Sequence, residues 1–175
     1  MSSYRRMFRP GATYFFTVCL AERPSQRLTD DIVGLRAAYG KALSNMPVRT
    51  EAIVVLPDHL HAIWTLPEGD ADFPNRWRLI KGEFSKRHAS SPTASQSKTA
   101  RGEKGIWQRR YWEHLIRNEA DLARHVAFCW GNPVKHGLVS RAVEWPYSSI
   151  HRDIRLSRVS SDWAGDIPDG DFGER

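Results

Sequence analysis

Apolar positions along the chain fall into short β-branched runs and longer stretches of helical period, and together these predict seven elements. Residues 13–20 (Thr-Tyr-Phe-Phe-Thr-Val-Cys-Leu) are β-branched and aromatic and follow a Pro10-Gly11 turn, the composition of a strand. From Ile32 the period changes. Leu35, Tyr39, Leu43 and Met46 recur at helical spacing until Pro47, with Thr29 as the expected N-cap and Asp30 and Asp31 in the first turn. Residues 48–56 and 59–66 return to strand composition around a Pro57-Asp58 turn and predict an antiparallel hairpin. A second helix is expected over residues 74–88, its apolar stripe formed by Phe73, Trp77, Ile80 and Phe84. Residues 89–105 carry Ser, Thr, Lys and Gly without apolar period and predict a flexible loop. Order returns with a strand over residues 107–117. Asn118, with Asp121 three residues on, then opens a third helix that runs through Phe128 until Pro133 and Gly137 end it. The remainder reads as irregular, with Trp145-Pro146-Tyr147-Ser148-Ser149 packing back on the body. This order is α+β, most simply an antiparallel sheet flanked by helices.

Length and composition narrow the class. A chain of 175 residues with 41% hydrophobic content supports one core without disulfides. One domain is expected over residues 1–161, with residues 162–175 as a tail. Cys19 and Cys129 lie far apart with no zinc-like spacing, which fits a reducing, cytoplasmic location. No apolar run approaches the roughly 18 residues of a membrane span, and the first residues lack a secretory signal, so neither membrane nor export is expected. The net charge of +6 is uneven: residues 162–175 hold five acids and one base, a net of −4 that leaves +10 on the rest. Such a body suits a polyanion, and seven tryptophans supply stacking surfaces for unpaired bases.

Two pairs of residues can carry chemistry. His59 and His61 are one residue apart on the second hairpin strand, so the period of two puts both imidazoles on one face and Leu60, Ala62 and Trp64 on the other. Paired imidazoles can bind a divalent metal, but seven histidines produce a His-x-His by chance about 0.3 times in a chain of this length, so a third ligand is needed. On the third helix Leu122, Val126, Cys129 and Pro133 form the apolar stripe, while Phe128 and Asn132 lie one turn apart on a largely different face. Asn132 could offer its carbonyl oxygen to a metal and Phe128 its ring to a ligand. Equally, Phe128 could broaden the buried face and Asn132 could cap the helix end.

His59-Leu60-His61, within Val54-Val55-Leu56-Pro57-Asp58-His59-Leu60-His61-Ala62-Ile63-Trp64, resembles the HUH signature of REP-associated tyrosine transposases, where U is hydrophobic. Arg76-Trp77-Arg78, Ile106-Trp107-Gln108, Tyr111-Trp112-Glu113-His114, Asn132-Pro133-Val134-Lys135-His136-Gly137, Trp145-Pro146 and Asp162-Trp163-Ala164-Gly165-Asp166 extend the resemblance over nearly the whole chain. The resemblance implies a ferredoxin-like α+β domain that binds repetitive extragenic palindrome hairpins and cuts and rejoins single-stranded DNA. It also implies that His59, His61 and Asn132 hold Mg²⁺ or Mn²⁺ while a tyrosine oxygen attacks to give a 5′-phosphotyrosine. Counting back four from Asn132, the nucleophile position holds Phe128, which has no oxygen, so cleavage is expected to be lost. Tyr111 precedes the helix and lacks a polar partner four residues on. A non-catalytic DNA-binding regulator on the same fold is the alternative; an RNA-binding ferredoxin-like module would leave the histidines and Asn132 without a joint role.

For DNA contacts, Arg5, Arg6, Arg76, Arg78, Lys81, Arg109 and Arg110 are expected to supply phosphate affinity, with Trp112 as a stacking surface. The partner is single-stranded and hairpin DNA, in a bacterial, nucleoid-associated setting, with the chain acting as monomer or homodimer. The acidic tail is expected to fold back over the body near the DNA cleft, anchored by Trp163.

Overall fold

The computed structural model describes residues 8–174, so Arg5 and Arg6 lie outside the described residues. Strands β1 (Thr13–Cys19), β2 (Arg49–Val55), β3 (His59–Thr65) and β4 (Trp112–Leu115) form one antiparallel sheet in the order β2-β3-β1-β4. The central strands β1 and β3 are buried on both faces, which is why they read as continuous apolar runs. Their alternation sorts the core into two layers. Tyr14, Phe16, Val18, Leu60, Ala62 and Trp64 face helices α2 (Ile32–Asn45) and α3 (Phe73–Lys86), with Trp64 stacked on Trp77 at 4.2 Å between ring centres. Phe15, Ala52, Val54 and Ile63 face helix α5 (Glu119–Lys135) through Phe128 and Cys129. This is the ferredoxin-like α+β arrangement, and it leaves one helix alone above the histidine face. Among the described residues no helix is long and apolar enough to cross a membrane.

Several boundaries differ from expectation, each for a local reason. Thr29 belongs to a short preceding turn, α1 (Arg27–Asp30), where its hydroxyl donates to the Gln26 carbonyl; Asp31 caps α2 instead, accepting from the Gly34 amide at 3.0 Å. Of the strand expected over residues 107–117, only Trp112–Leu115 pairs along β1, while Trp107 makes a single bridge to Leu20. Helix α5 continues through Pro133 to Lys135. It closes at Gly137, whose φ of +67° lets its amide reach the Val134 carbonyl while the Leu138 amide reaches that of Pro133, both at 2.9 Å. The segment expected as a flexible loop contains a helical turn, α4 (Gln96–Thr99), and a buried Ser91 bonded to Glu22. Residues 147–149 pack back as expected, bonding the edge of β2, and are followed by the unexpected α6 (Ile150–Arg155).

Arg76 is a correction to the expected DNA contacts. It is 1% exposed, and its five N–H groups meet five acceptors: the carbonyls of Met46, Pro47 and Asp72 and both oxygens of Asp70, at 2.6–3.1 Å. The guanidinium holds the Asp70 carboxyl below its ordinary range. Arg76 therefore ties α3 to the end of α2 and cannot turn to a phosphate without breaking that network. Arg76→Ala should cost about 3 kcal/mol in denaturant unfolding, because it leaves Asp70 and three carbonyls without their donor. Arg78→Ala, on the exposed face, should change stability by no more than about 0.5 kcal/mol.

Candidate metal centre

Strand β3 delivers His59 and His61 to the α5 face at the end of the sheet where His59 pairs with Cys19 and His61 with Thr17. Both imidazoles are buried, and each is fixed through Nδ1. His59 Nδ1 lies 2.6 Å from the Asp58 carboxylate, which also receives Arg23 Nε at 3.0 Å. His61 Nδ1 lies 2.8 Å from Thr17 Oγ1, whose single proton goes to the Phe172 carbonyl, so Thr17 accepts from His61. Both rings thus carry Nδ1–H and turn Nε2 lone pairs into the same space, the arrangement in which a carboxylate or hydroxyl orients a metal-binding histidine.

Helix α5 supplies the opposite wall. Phe128 and Asn132, one turn apart and both fully buried, point at this space, with the Phe128 ring 5.1 Å from that of His61. The broad-stripe and helix-cap alternatives hold only in part: Phe128 is indeed core, but Asn132 does not cap the helix with its side chain. Its Nδ2 donates to Glu174 Oε1, while its Oδ1 is buried without a hydrogen-bond partner. His59 Nε2 is likewise buried and unbonded, since Glu174 Oε1 at 3.7 Å is too distant for a hydrogen bond. Lone pairs from two imidazoles therefore meet beside the Glu174 carboxylate, which also takes the Asn132 amide. Two imidazoles and a carboxylate fit a divalent cation, and the unbonded His59 Nε2 is an atom that a cation would satisfy.

Electrostatics separates the members. Burial drives His61 down to about 4, so it is neutral at pH 7. Burial also opposes charge on His59, but its contacts with Asp58 and Glu174 outweigh this and raise it. Burial likewise acts to raise Asp58, yet His59 and Arg23 bring it down to about 2. For Glu174 the penalty of burial is overcome by His136, His59, His61 and Lys135, which hold it far below the ordinary carboxylate range. Docking of this carboxylate is accordingly strongest above its ordinary pKa and is lost as pH falls toward the depressed one.

Glu174 brings the acidic tail into the centre. Trp163 meets the edge of Trp130 at 5.6 Å, Ile167 lies against Gly131 on α5, and Arg124 donates to the Asp169 carbonyl. Phe172 stacks on Phe128, and Glu174 then reaches Lys135 Nζ at 2.6 Å and His136 Nε2 at 3.1 Å. Its backbone carbonyl takes Arg23 NH1 at 2.9 Å. The tail thus lies over the body. Arg23, Lys135, His136 and Glu174 were not singled out from the sequence, although Lys135 and His136 fall inside the Asn132–Gly137 block.

The other expected residues spread over two surfaces. Arg78, Lys81 and Arg109 line a cleft of about 680 Å³ between α3 and residues 101–109, which holds six basic side chains and one acid, Glu103. Lys81 is tied to the Gln108 carbonyl at 2.5 Å and Arg109 to Glu103 at 3.0 Å. Arg110 is exposed. Trp112 is half-buried between Phe15, His114 and the tail. Tyr111 packs against Phe16, Phe73 and Trp77, in the layer on the other side of the sheet from the histidines.

No protein-family model matches the chain. It is similar to the REP-associated tyrosine transposase of Escherichia coli K12, with 48% identity over 175 residues that cover all of this chain and 98% of the relative. A solved structure of a REP-associated tyrosine transposase bound to a REP hairpin matches with a TM-score of 0.88 and 47% identity, covering all of this chain and 98% of that one.

Gly173 provides a test of the tail that touches none of the candidate ligands. Its φ is +73°, and a Cβ there would collide with the Trp112 ring. Gly173→Ala should therefore release residues 172–174, read as faster amide exchange at Phe172 and Glu174 with exchange in β1 and β3 unchanged. Unchanged exchange at the tail would show that the docked position does not depend on this contact.

Proposed function

The chain belongs to the REP-associated tyrosine transposases, and from that premise we propose that it binds single-stranded DNA beside palindromic hairpins through a metal centre at His59, His61 and Asn132. We further propose that it does so without cleaving, because Phe128 stands at the nucleophile position. The observation that carries the reading is the buried, unbonded His59 Nε2 beside His61 Nε2, in the space where an anionic carboxylate already sits and where the Asn132 amide reaches that same carboxylate. A phosphate is the other anion such a centre would take. When bound there, Mn²⁺ or Mg²⁺ would act as a Lewis acid on the phosphate, and two imidazole ligands favour Mn²⁺.

The chain's own groups divide the remaining work. Asp58 and Thr17 hold the imidazoles in the tautomer that presents Nε2. Lys135 offsets phosphate charge and His136 hydrogen-bonds to phosphate oxygen, as each now does with Glu174. Arg78, Lys81, Arg109 and Arg110 extend the positive surface beyond the centre. Phe128 keeps the ring in place and lacks the oxygen that would attack phosphorus and release a 3′-hydroxyl. The Glu174 carboxylate competes with DNA for the centre, most strongly at low salt. The setting this function requires is the bacterial cytoplasm, on the nucleoid. A non-catalytic regulator on the same fold is the second reading, and Phe128 is the residue that favours it.

Two measurements test this function. Mn²⁺ titration of the chain should show a site that disappears in the His59→Ala, His61→Ala double variant; equal binding by both would remove the metal assignment. Phe128→Tyr, given a hairpin-bearing single strand and Mn²⁺, should form a covalent adduct at residue 128, since only the hydroxyl is missing. If the restored tyrosine binds the strand yet forms no adduct, the centre has lost more than its nucleophile and the regulator reading prevails.

A further inference from the structure

The tail shows more than an anion in the centre. Phe172 is buried, and its ring stacks on Phe128 with 3.7 Å between centres and 11° between planes. A ring that close fills one face, so the Arg124 guanidinium, 5.4 Å over the Phe172 centre, takes the other. Phe15 and His125 stand nearly edge-on at 5.9 and 5.2 Å and close the sides. Two residues further, the Glu174 carboxylate meets His61, Asn132 and Lys135. A flat ring joined through a short backbone to an anion has the layout of a nucleotide: base, linker, phosphate.

We infer that the space between Phe128 and Arg124 is a nucleobase slot. It takes one unpaired base of a single strand whose neighbouring phosphate sits at the histidines, and Phe172 fills it in the free chain. The inference rests on the single-strand reading above and adds to it a second subsite with its own chemistry. An aromatic face opposed by a guanidinium plane is the combination that holds unpaired bases, and because every base has a π-face such a slot accepts all four. Loss of one stacked base costs about 5–150-fold in affinity. The slot also gives the retained ring at position 128 a role that needs no hydroxyl: phenylalanine stacks as tyrosine does. Arg124 is otherwise exposed on α5, and its bond to the Asp169 carbonyl lasts only while the tail is docked.

The test uses the full chain with Mn²⁺ and hairpin-bearing single strands that carry 2-aminopurine at successive unpaired positions. Fluorescence reports stacking, and anisotropy separately reports binding. One position should be quenched on binding, more strongly in Phe172→Ala than in the unaltered chain. Arg124→Lys, which keeps the charge and loses the plane, should lower both the quench and the affinity at least fivefold in the Phe172→Ala background. A strand that binds with no position quenched, a quench equal with and without Phe172, or a quench indifferent to Arg124→Lys would each overturn the slot. A strand that does not bind at all would instead overturn the single-strand reading.

Discussion

Everything at the candidate centre depends on how two imidazoles are held by their far sides. Strand β3 is buried on both faces, so side chains facing α5 enter a dry layer in which an unbonded polar atom is costly. His59 and His61 can sit there because Asp58 and Thr17 each satisfy an Nδ1–H. That same bond determines the tautomer and leaves Nε2 as an acceptor in a space that already contains the Glu174 carboxylate. Acceptors gathered in a poorly solvated pocket need positive charge among them. In the free chain it comes from Lys135. A divalent cation meets the same need with one ion.

The tail follows from the same imbalance. A centre rich in basic side chains at its rim attracts any carboxylate the chain can bring, and the acidic residues after Asp162 are the nearest supply. Charge alone would leave such a tail diffuse in solvent. Here its course along α5 is specified by shape: Trp163 on Trp130, Ile167 over Gly131, Phe172 on Phe128, and Gly173 under the Trp112 ring. Packing decides where the tail lies and electrostatics decides which residue ends in the centre.

The parts of this arrangement that sequence makes legible are those governed by period. The alternation in β3 placed His59 and His61 together, and the seven expected elements appear in order; the 3.6-residue repeat set Phe128 and Asn132 apart from the apolar stripe, whereas both are buried with Cys129 on the side that meets the sheet. Tertiary partners are not encoded by period. Arg76 sits in a basic helical segment and looks like a phosphate contact, yet its five acceptors come from Met46, Pro47, Asp70 and Asp72, which only folding assembles around it. Arg23 and Glu174 approach the histidines from opposite ends of the chain, 151 residues apart, so no spacing rule joins them. Pro133 misled for the reverse reason: a local rule ends a helix at proline, but closure at Gly137 carries α5 past it and positions Lys135 and His136 at the centre.

Phe128 joins the two halves of the site. Its ring contacts His61 on the histidine side and stacks with Phe172 on the tail side, and the Lys135 ammonium lies 4.8 Å from its centre. Tyrosine at this position would add one oxygen to a ring already held by those neighbours, and in a fully buried place that hydroxyl would need a polar partner. The Lys135 ammonium and the His61 imidazole are polar groups beside that ring. Phenylalanine carries no such requirement and still presents an aromatic face to His61 and Phe172. Under the proposed reading, in which position 128 is that of the nucleophile, binding and cleavage can part company at a single atom.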